Sequence, residues 1–491
     1  MTVGQRALRG TIWLSVANYG AYAVVFITDI LLARLLLPED FGMVALAVSV
    51  LEIVGRLGSF GIGTAVVQYR TDDKAQEQRF LSTLFSLQLI IAGSILLAIL
   101  LVSAALVWLY EPVIIITLLI LAVGRTIQTV NQFAGALVQR QMAFRQDALT
   151  SFLSLGFSSL VGILLAWQGF GSWSLVGKRL SQILISGIGV WWIARWHPKL
   201  SWDREILRYV WRFARSIWVS GNLEVILKDL DDTAVGTVRD TESLGYYSRA
   251  YKLSQLFIEF IAPAIARTSL PTYSALKIDP PALASVFGVV QRFLARMSAL
   301  FYIEIGLLSP VVVTLLYGER WLPMVVLFRI MLVYAFLQPL FNQHKQLLIA
   351  NERPHIVARI RLAQAVFFMP GVFIAAYAWG EVGVAVVVDV MILIGISLIV
   401  WQTRKLVAVS FMQAVFPSIV GALVTSVAFW VLQGVWQPES GWLALIVFAP
   451  AIAIVFTVSL FLSEGKTLLK DIRRVRQGLL KGTAGLQGMS D

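Results

Sequence analysis

Fourteen stretches of about twenty predominantly apolar residues follow one another along the chain, and that succession constrains the fold more than any other feature. About twenty such residues, wound as a helix, cross the hydrocarbon core of a bilayer. In lipid every backbone polar group must be satisfied internally, which leaves helices or closed barrels. The stretches lie near 11–33, 41–67, 80–109, 113–138, 149–167, 171–194, 212–238, 246–270, 293–317, 322–350, 356–379, 382–402, 413–434 and 441–463. Composition agrees: 58% of residues are hydrophobic and 14% charged, where a soluble domain carries roughly 25% charged. The expected fold class is an all-α polytopic membrane protein with about fourteen transmembrane helices. The first stretch is too long for a signal-peptide core, carries Asp29 and lacks a clear cleavage site, so it is expected to be retained.

The net charge of +12 could suggest a nucleic-acid partner, but the distribution of charge assigns it another role. With the N-terminus inside, 29 of the 40 Lys and Arg fall in cytoplasmic ends and loops, against Arg34, Arg239 and Arg320 outside. That asymmetry is the positive-inside pattern. It predicts both termini in the cytoplasm and leaves nucleic acid as a poor explanation. The basic tail 464–491 is expected to lie on the inner leaflet or to lack fixed structure.

Internal similarity then divides the chain. Asp29, Glu39 and Gly42 recur as Asp232, Glu242 and Gly245 at a common offset of 203 residues. Asn131-Gln132 recurs as Asn342-Gln343 at an offset of 211. So long a period means two homologous halves rather than a short-repeat array. The expected organisation is an N-lobe at 1–194, a basic cytoplasmic linker at 195–211, a C-lobe at 212–402, two additional spans within 413–463, and the tail.

Catalytic signatures are missing. The three histidines lack metal-ligand spacing, and without cysteine there are no disulfides or thiolate metal sites. Gly465-Lys466-Thr467 resembles the end of a phosphate-binding loop, but Leu460 stands where the upstream glycine is required. Neither an enzymatic activity nor a cofactor or metal is expected. Transport is the default for such a chain.

Charges inside spans are costly and mark functional candidates. Glu52 and Arg56 stand one helical turn apart and can pair. Arg125, Gln128 and Gln132 share a face, with Asn131 beside them; Glu224, Lys228 and Asp232 sit four apart; Arg249, Lys252 and Glu259 form a stripe before Pro263, which is expected to kink its helix. Arg329, Asn342 and Gln343 lie in the tenth span. One reading is a set of self-neutralising pairs that fix helix packing. The other is a hydrated basic cavity, because Arg125 and Arg329 have no acid one turn away. The cationic-cavity candidates are Arg56, Arg125, Lys228, Arg249, Lys252 and Arg329. Asp29, Glu52, Glu224, Asp232 and Glu259 are candidate coupling or structural acids.

ARLLLPEDFGMVAL (33–46) and LDDTAVGTVRDTESLGYYSRAYKL (230–253) resemble the two signature segments of the polysaccharide transporter family of oligosaccharide-lipid flippases, within the multidrug/oligosaccharidyl-lipid/polysaccharide exporter superfamily. The second segment resembles the branch that exports colanic-acid-like repeat units. The resemblance implies two six-helix lobes with two extra helices in the bacterial cytoplasmic membrane. It also implies alternating access around a cationic cavity that receives an undecaprenyl-pyrophosphate-linked oligosaccharide, and polysaccharide polymerase machinery as a partner. Arg and Lys suit the pyrophosphate; Gln128, Asn131, Gln132, Asn342 and Gln343 suit glycan hydroxyls. The alternatives are an ion-coupled multidrug exporter of the same superfamily, which the basic stripe disfavours, and a membrane glycosyltransferase or polymerase, which the short outer loops disfavour.

Overall fold

The structure is a computed structural model that describes residues 3–57, 61–69, 71–108, 110–260 and 262–487; within these, the side chains of 3–18, 56–57, 209, 212–226, 262–264, 266–267, 472 and 474–487 lie outside the description. No strand occurs among the described residues. In chain order the helices are α1 (Val3–Leu35), α2 (Pro38–Leu57), α3 (Ile62–Gln68), α4 (Lys74–Leu106), α5 (Pro112–Arg140), α6 (Phe144–Trp167), α7 (Trp173–Ala194), α8 (Arg204–Val238) and α9 (Thr241–Ser254). There follow α10 (Leu256–Phe260), α11 (Ala262–Leu276), α12 (Pro280–Leu307), α13 (Ser309–Leu316), α14 (Met324–Ala350), α15 (Pro354–Thr403), α16 (Phe411–Val435) and α17 (Gly441–Gln487).

Each of the fourteen apolar stretches coincides with one of these helices or with a consecutive run of them. The eleventh and twelfth are joined in α15, whose backbone turns at Gly380 in a conformation (φ 68°, ψ −153°) that favours glycine. The eighth is broken into α9, α10 and α11, with the first interruption at Gln255. Among the described residues, eight helices are long and apolar enough to cross a membrane. Two that fall short, α2 and α7, carry their own polar residues. In α2 these are Glu39, Asp40, Glu52 and Arg56; in α7, Lys178, Arg179 and Gln182.

Helix ends follow local chemistry. Asp73 caps α4 by accepting from the Ala75 and Gln76 amides, and Asp203 caps α8 by accepting from Glu205 and Ile206. The segment between α7 and α8 is irregular only over 195–203, so the second half of the expected linker is already helical.

The chain forms two compact units: residues 1–249 with 365–387, and residues 250–364 with 388–491. In the first, Phe85, Phe133, Trp191 and Trp196 meet edge-on or tilted at centroid distances of 5.3–5.9 Å and fill the space between α4, α5 and the end of α7. The offset-203 glycines stand at a helix contact of unusual closeness. A Cβ on Gly42 would come within 1.6 Å of the Thr241 carbonyl oxygen, and one on Gly245 within 1.9 Å of the Pro38 carbonyl oxygen. Only glycine permits the starts of α2 and α9 to touch backbone to backbone. Arg239, after α8, donates through Nε to the Ala376 carbonyl at 3.1 Å, beside the Gly380 turn.

In the second unit, polar side chains stitch helices together. Tyr273 donates to Gln343 Oε1 at 3.0 Å, and Asp389 accepts from the Tyr334 amide at 2.9 Å within the Pro339-containing α14. The buried His344 lies between Gln291 Nε2 at 3.2 Å and Thr403 Oγ1 at 2.8 Å.

Candidate functional site

Five helices of the first unit enclose a cavity of about 320 Å³. From α1 it receives Asp29, from α2 the Phe41–Val48 face, from α7 Lys178, Arg179 and Gln182, from α8 Asp232, and from α9 Ser248 and Arg249. Asp29, only 7% exposed, stands between two cations. Its Oδ1 lies 3.6 Å from Lys178 Nζ and its Oδ2 lies 3.7 Å from Arg249 Nη1. Both distances are ion-pair contacts too long for hydrogen bonds. The Arg249 guanidinium also covers the Phe41 ring, 4.3 Å from its centroid, a cation–π contact that holds the group in place without neutralising it.

A second charge chain leaves the cavity from the next residue of α7. Arg179 Nη2 donates to Glu52 Oε1 at 3.0 Å, and Arg125 Nη1 lies 3.3 Å from Glu52 Oε2. Arg125 donates on to Gln128 Oε1 at 3.3 Å. Gly55 makes this possible, since a Cβ there would stand 2.5 Å from Arg125 Nε. Arg125 then lines a smaller cavity of about 150 Å³ with Gln88, Thr129 and Gln132. Consecutive residues of α7 thus serve different acids: Lys178 serves Asp29 on α1, and Arg179 serves Glu52 on α2.

The sequence candidates are distributed as follows. Asp29, Asp232 and Arg249 come together on the larger cavity; Arg125, Gln128, Gln132 and Glu52 belong to the adjoining network. Glu52 pairs across helices with Arg125 of α5 and Arg179 of α7; the expected pairing with Arg56 lies outside the described residues, since the Arg56 side chain is not described, nor is that of Glu224. Asn131 is engaged in packing: it donates to the Ile183 carbonyl at 3.2 Å, accepts from Trp191 Nε1 at 3.1 Å, and fills the space that Gly187 leaves open. Lys228 is exposed on α8. Lys252, Glu259, Arg329, Asn342 and Gln343 belong to the second unit. There Arg329 donates to the Gly306 carbonyl and Ser309 Oγ and lines a cavity of about 460 Å³ with Gln433 and Glu439. Gln343 is buried against Tyr273.

Lys178 and Arg179 were not among the sequence candidates, although the signal was present. Two adjacent cations follow Gly177 inside an apolar segment that holds no acid.

Residues 31–326, more than half of the chain, match the family described as "Polysaccharide biosynthesis protein". Over 310 residues the chain is 23% identical to the succinoglycan biosynthesis transport protein ExoT of Rhizobium meliloti, covering 63% of this chain and 62% of ExoT. It is 20% identical to the lipopolysaccharide biosynthesis protein WzxC of Escherichia coli over 388 residues, 78% of each chain. Among solved structures, the lipid II flippase MurJ in an inward closed conformation superposes with a TM-score of 0.72 at 13% identity, covering 92% of this chain and 99% of that one. A multidrug resistance MATE family transporter in an inward-facing conformation superposes at 0.61 with 14% identity, covering 80% of this chain and 98% of that one. The fold is that of these all-α multi-pass membrane proteins.

Proposed function

Because the chain belongs to the polysaccharide biosynthesis protein family, we propose that it moves a polyprenyl-pyrophosphate-linked oligosaccharide across the bacterial cytoplasmic membrane, for assembly of an exopolysaccharide, capsule or O-antigen. One observation carries the reading: Lys178, Arg179 and Arg249 converge on a single cavity whose own acids are Asp29 and Asp232. A pyrophosphate offers several oxygens to such donors. The long contacts of Asp29 with Lys178 and Arg249 are ones an arriving phosphate can take over. Asp29 then acts as the resident counter-ion: it yields both cations when the headgroup enters and reclaims them when it leaves. Binding is thereby kept weak enough for release. Carrying about two negative charges outward, down an inside-negative potential of about 100 mV, is favourable by about 4–5 kcal/mol, so no nucleotide site is required.

The structural likeness to the MATE transporter keeps an ion-coupled multidrug exporter as the second reading. With the adjoining Glu52 network counted, four bases (Lys178, Arg179, Arg249 and Arg125) stand against three acids (Asp29, Asp232 and Glu52), an excess that favours an anionic cargo over a cationic one. Two homologous lobes, 1–194 and 212–402, are part of the proposal. Its support is the glycine contact, in which Gly42 meets Thr241 while Gly245 meets Pro38. Pro38 and Gly42 stand 203 residues before Thr241 and Gly245, and this reciprocal pairing is what a two-fold axis between copies produces.

The test is depletion of the protein in its own host, with lipid-linked repeat units followed on each leaflet. Accumulation on the cytoplasmic leaflet is expected. Unchanged lipid-linked sugar together with raised drug sensitivity would replace this reading by the second.

A further inference from the structure

The last helix changes character at one residue. From Gly441 onward α17 is apolar enough to cross a membrane; at Glu464 its backbone leaves helical geometry (φ −144°, ψ 26°) and then resumes to Gln487. Beyond that kink the sequence reads GKTLLKDIRRVRQGLLK. A register of about 100° per residue places Leu468, Ile472, Val475 and Leu479 on one face, and Lys466, Lys470, Arg473 and Lys481 on the opposite one. Lys466, Lys470 and Arg473 are exposed.

Asp471 falls on the flank between the two faces, and it is buried. Arg292 grips it with two parallel contacts, Nε to Oδ2 at 2.8 Å and Nη2 to Oδ1 at 2.7 Å. Arg296, one turn further along α12, donates to Asp471 Oδ2 at 3.0 Å and to Glu464 Oε1 at 2.7 Å. Two cations and two acids close a balanced set, and bidentate geometry of this kind fixes orientation as well as position. The clamp holds both ends of the kink and prevents the segment from rolling. Among the described side chains of the basic face, Lys466, Lys470 and Arg473 take no part in it.

We propose that residues 465–487 form an interfacial helix that binds anionic phospholipid headgroups, with the Arg292/Arg296–Glu464/Asp471 clamp setting its orientation. An amphipathic helix whose polar face is rich in Lys and Arg lies in the boundary between acyl chains and headgroups, and the kink at the end of a span delivers this one there. A basic face next to a span attracts acidic lipids. The inference is independent of the transported substrate.

The test uses full-length protein in nanodiscs of phosphatidylcholine alone or with about one third phosphatidylglycerol, and reads amide hydrogen exchange over residues 466–481. Exchange is expected to be roughly tenfold slower with phosphatidylglycerol, an effect erased by about 1 M salt. The variant K466Q/K470Q/R473Q/K481Q should lose the difference between lipids while Arg292 and Asp471 are untouched. The salt arm needs no variant, so a poorly folding quadruple mutant leaves the question answerable. Equal exchange in both lipids, whether fast or slow, would overturn the proposal; fast exchange in both that slows only with a soluble protein added would assign the helix to a protein partner instead.

Discussion

At the scale of single residues, the proposed mechanism makes unequal demands on the charges around the cavity. Alanine at Lys178, Arg179 or Arg249 should lower export at least roughly tenfold at matched protein levels, equivalent to about 1.4 kcal/mol. Arg249→Lys should recover part of that loss if the group acts as a point charge, and little if its planar fork and its contact with Phe41 matter. Full activity in all three alanine variants would sink the cationic cavity. Asp29→Asn keeps the shape and removes the counter-ion, so tighter substrate retention with slower turnover is expected; transport assays at rising substrate concentration read this as a lower KM with a lower maximal rate. Arg125 was legible in the sequence because no acid stands one turn away from it, and Arg249 because it opens a stripe with Lys252. What the sequence could not supply was the partner of each charge. Arg125 and Arg179 reach Glu52 from other helices, because adjoining helices present their charges to it in an order that periodicity along one helix does not encode. Asn131 shows the converse: a polar residue on a promising face is spent on Ile183 and Trp191.

Elements were easier to read than their joints. Hydropathy located the apolar core of the long helices, since the bilayer's demand for internal hydrogen bonding leaves little choice, but not the helical continuation of α17 beyond Glu464. It separated 356–379 from 382–402, where α15 turns at Gly380, but it did not give the break of the eighth stretch at Gln255, a backbone conformation that hydropathy does not register. The duplicated glycines, Gly42 and Gly245, were visible as a repeat, but their purpose is visible only in three dimensions. Gly42→Ala and Gly245→Ala should each force the starts of α2 and α9 apart, at about 1–3 kcal/mol. Gly135→Ala, where nothing lies within 4 Å of the added Cβ, should be neutral or slightly stabilising. Melting curves of the purified variants would settle the matter: similar midpoints for all three would mean that the close approach does not matter to stability.

For the molecule as a whole, the charge asymmetry sets an orientation that reporter fusions can check. Fusions at Glu111 and Gly169 should report the outer side and fusions at Lys74 and Lys199 the cytoplasm; inversion at both outer sites would overturn the assignment. Sequence alone led to the membrane class and to the family, since both rest on patterns spread over hundreds of residues. A different consequence follows from the make-up of the first unit, to which residues 365–387 belong and in which Arg239 holds the Ala376 carbonyl beside the Gly380 turn. The ribosome delivers those residues more than a hundred positions after Arg249. During synthesis the early helices, Asp29, Lys178 and Arg249 among them, must therefore wait in the bilayer for a late segment, exposed to proteolysis and in need of insertion machinery. A chain halted after residue 364 should be cleared faster in pulse-chase labelling than one halted after residue 403; equal lifetimes would mean that the early helices mature without it.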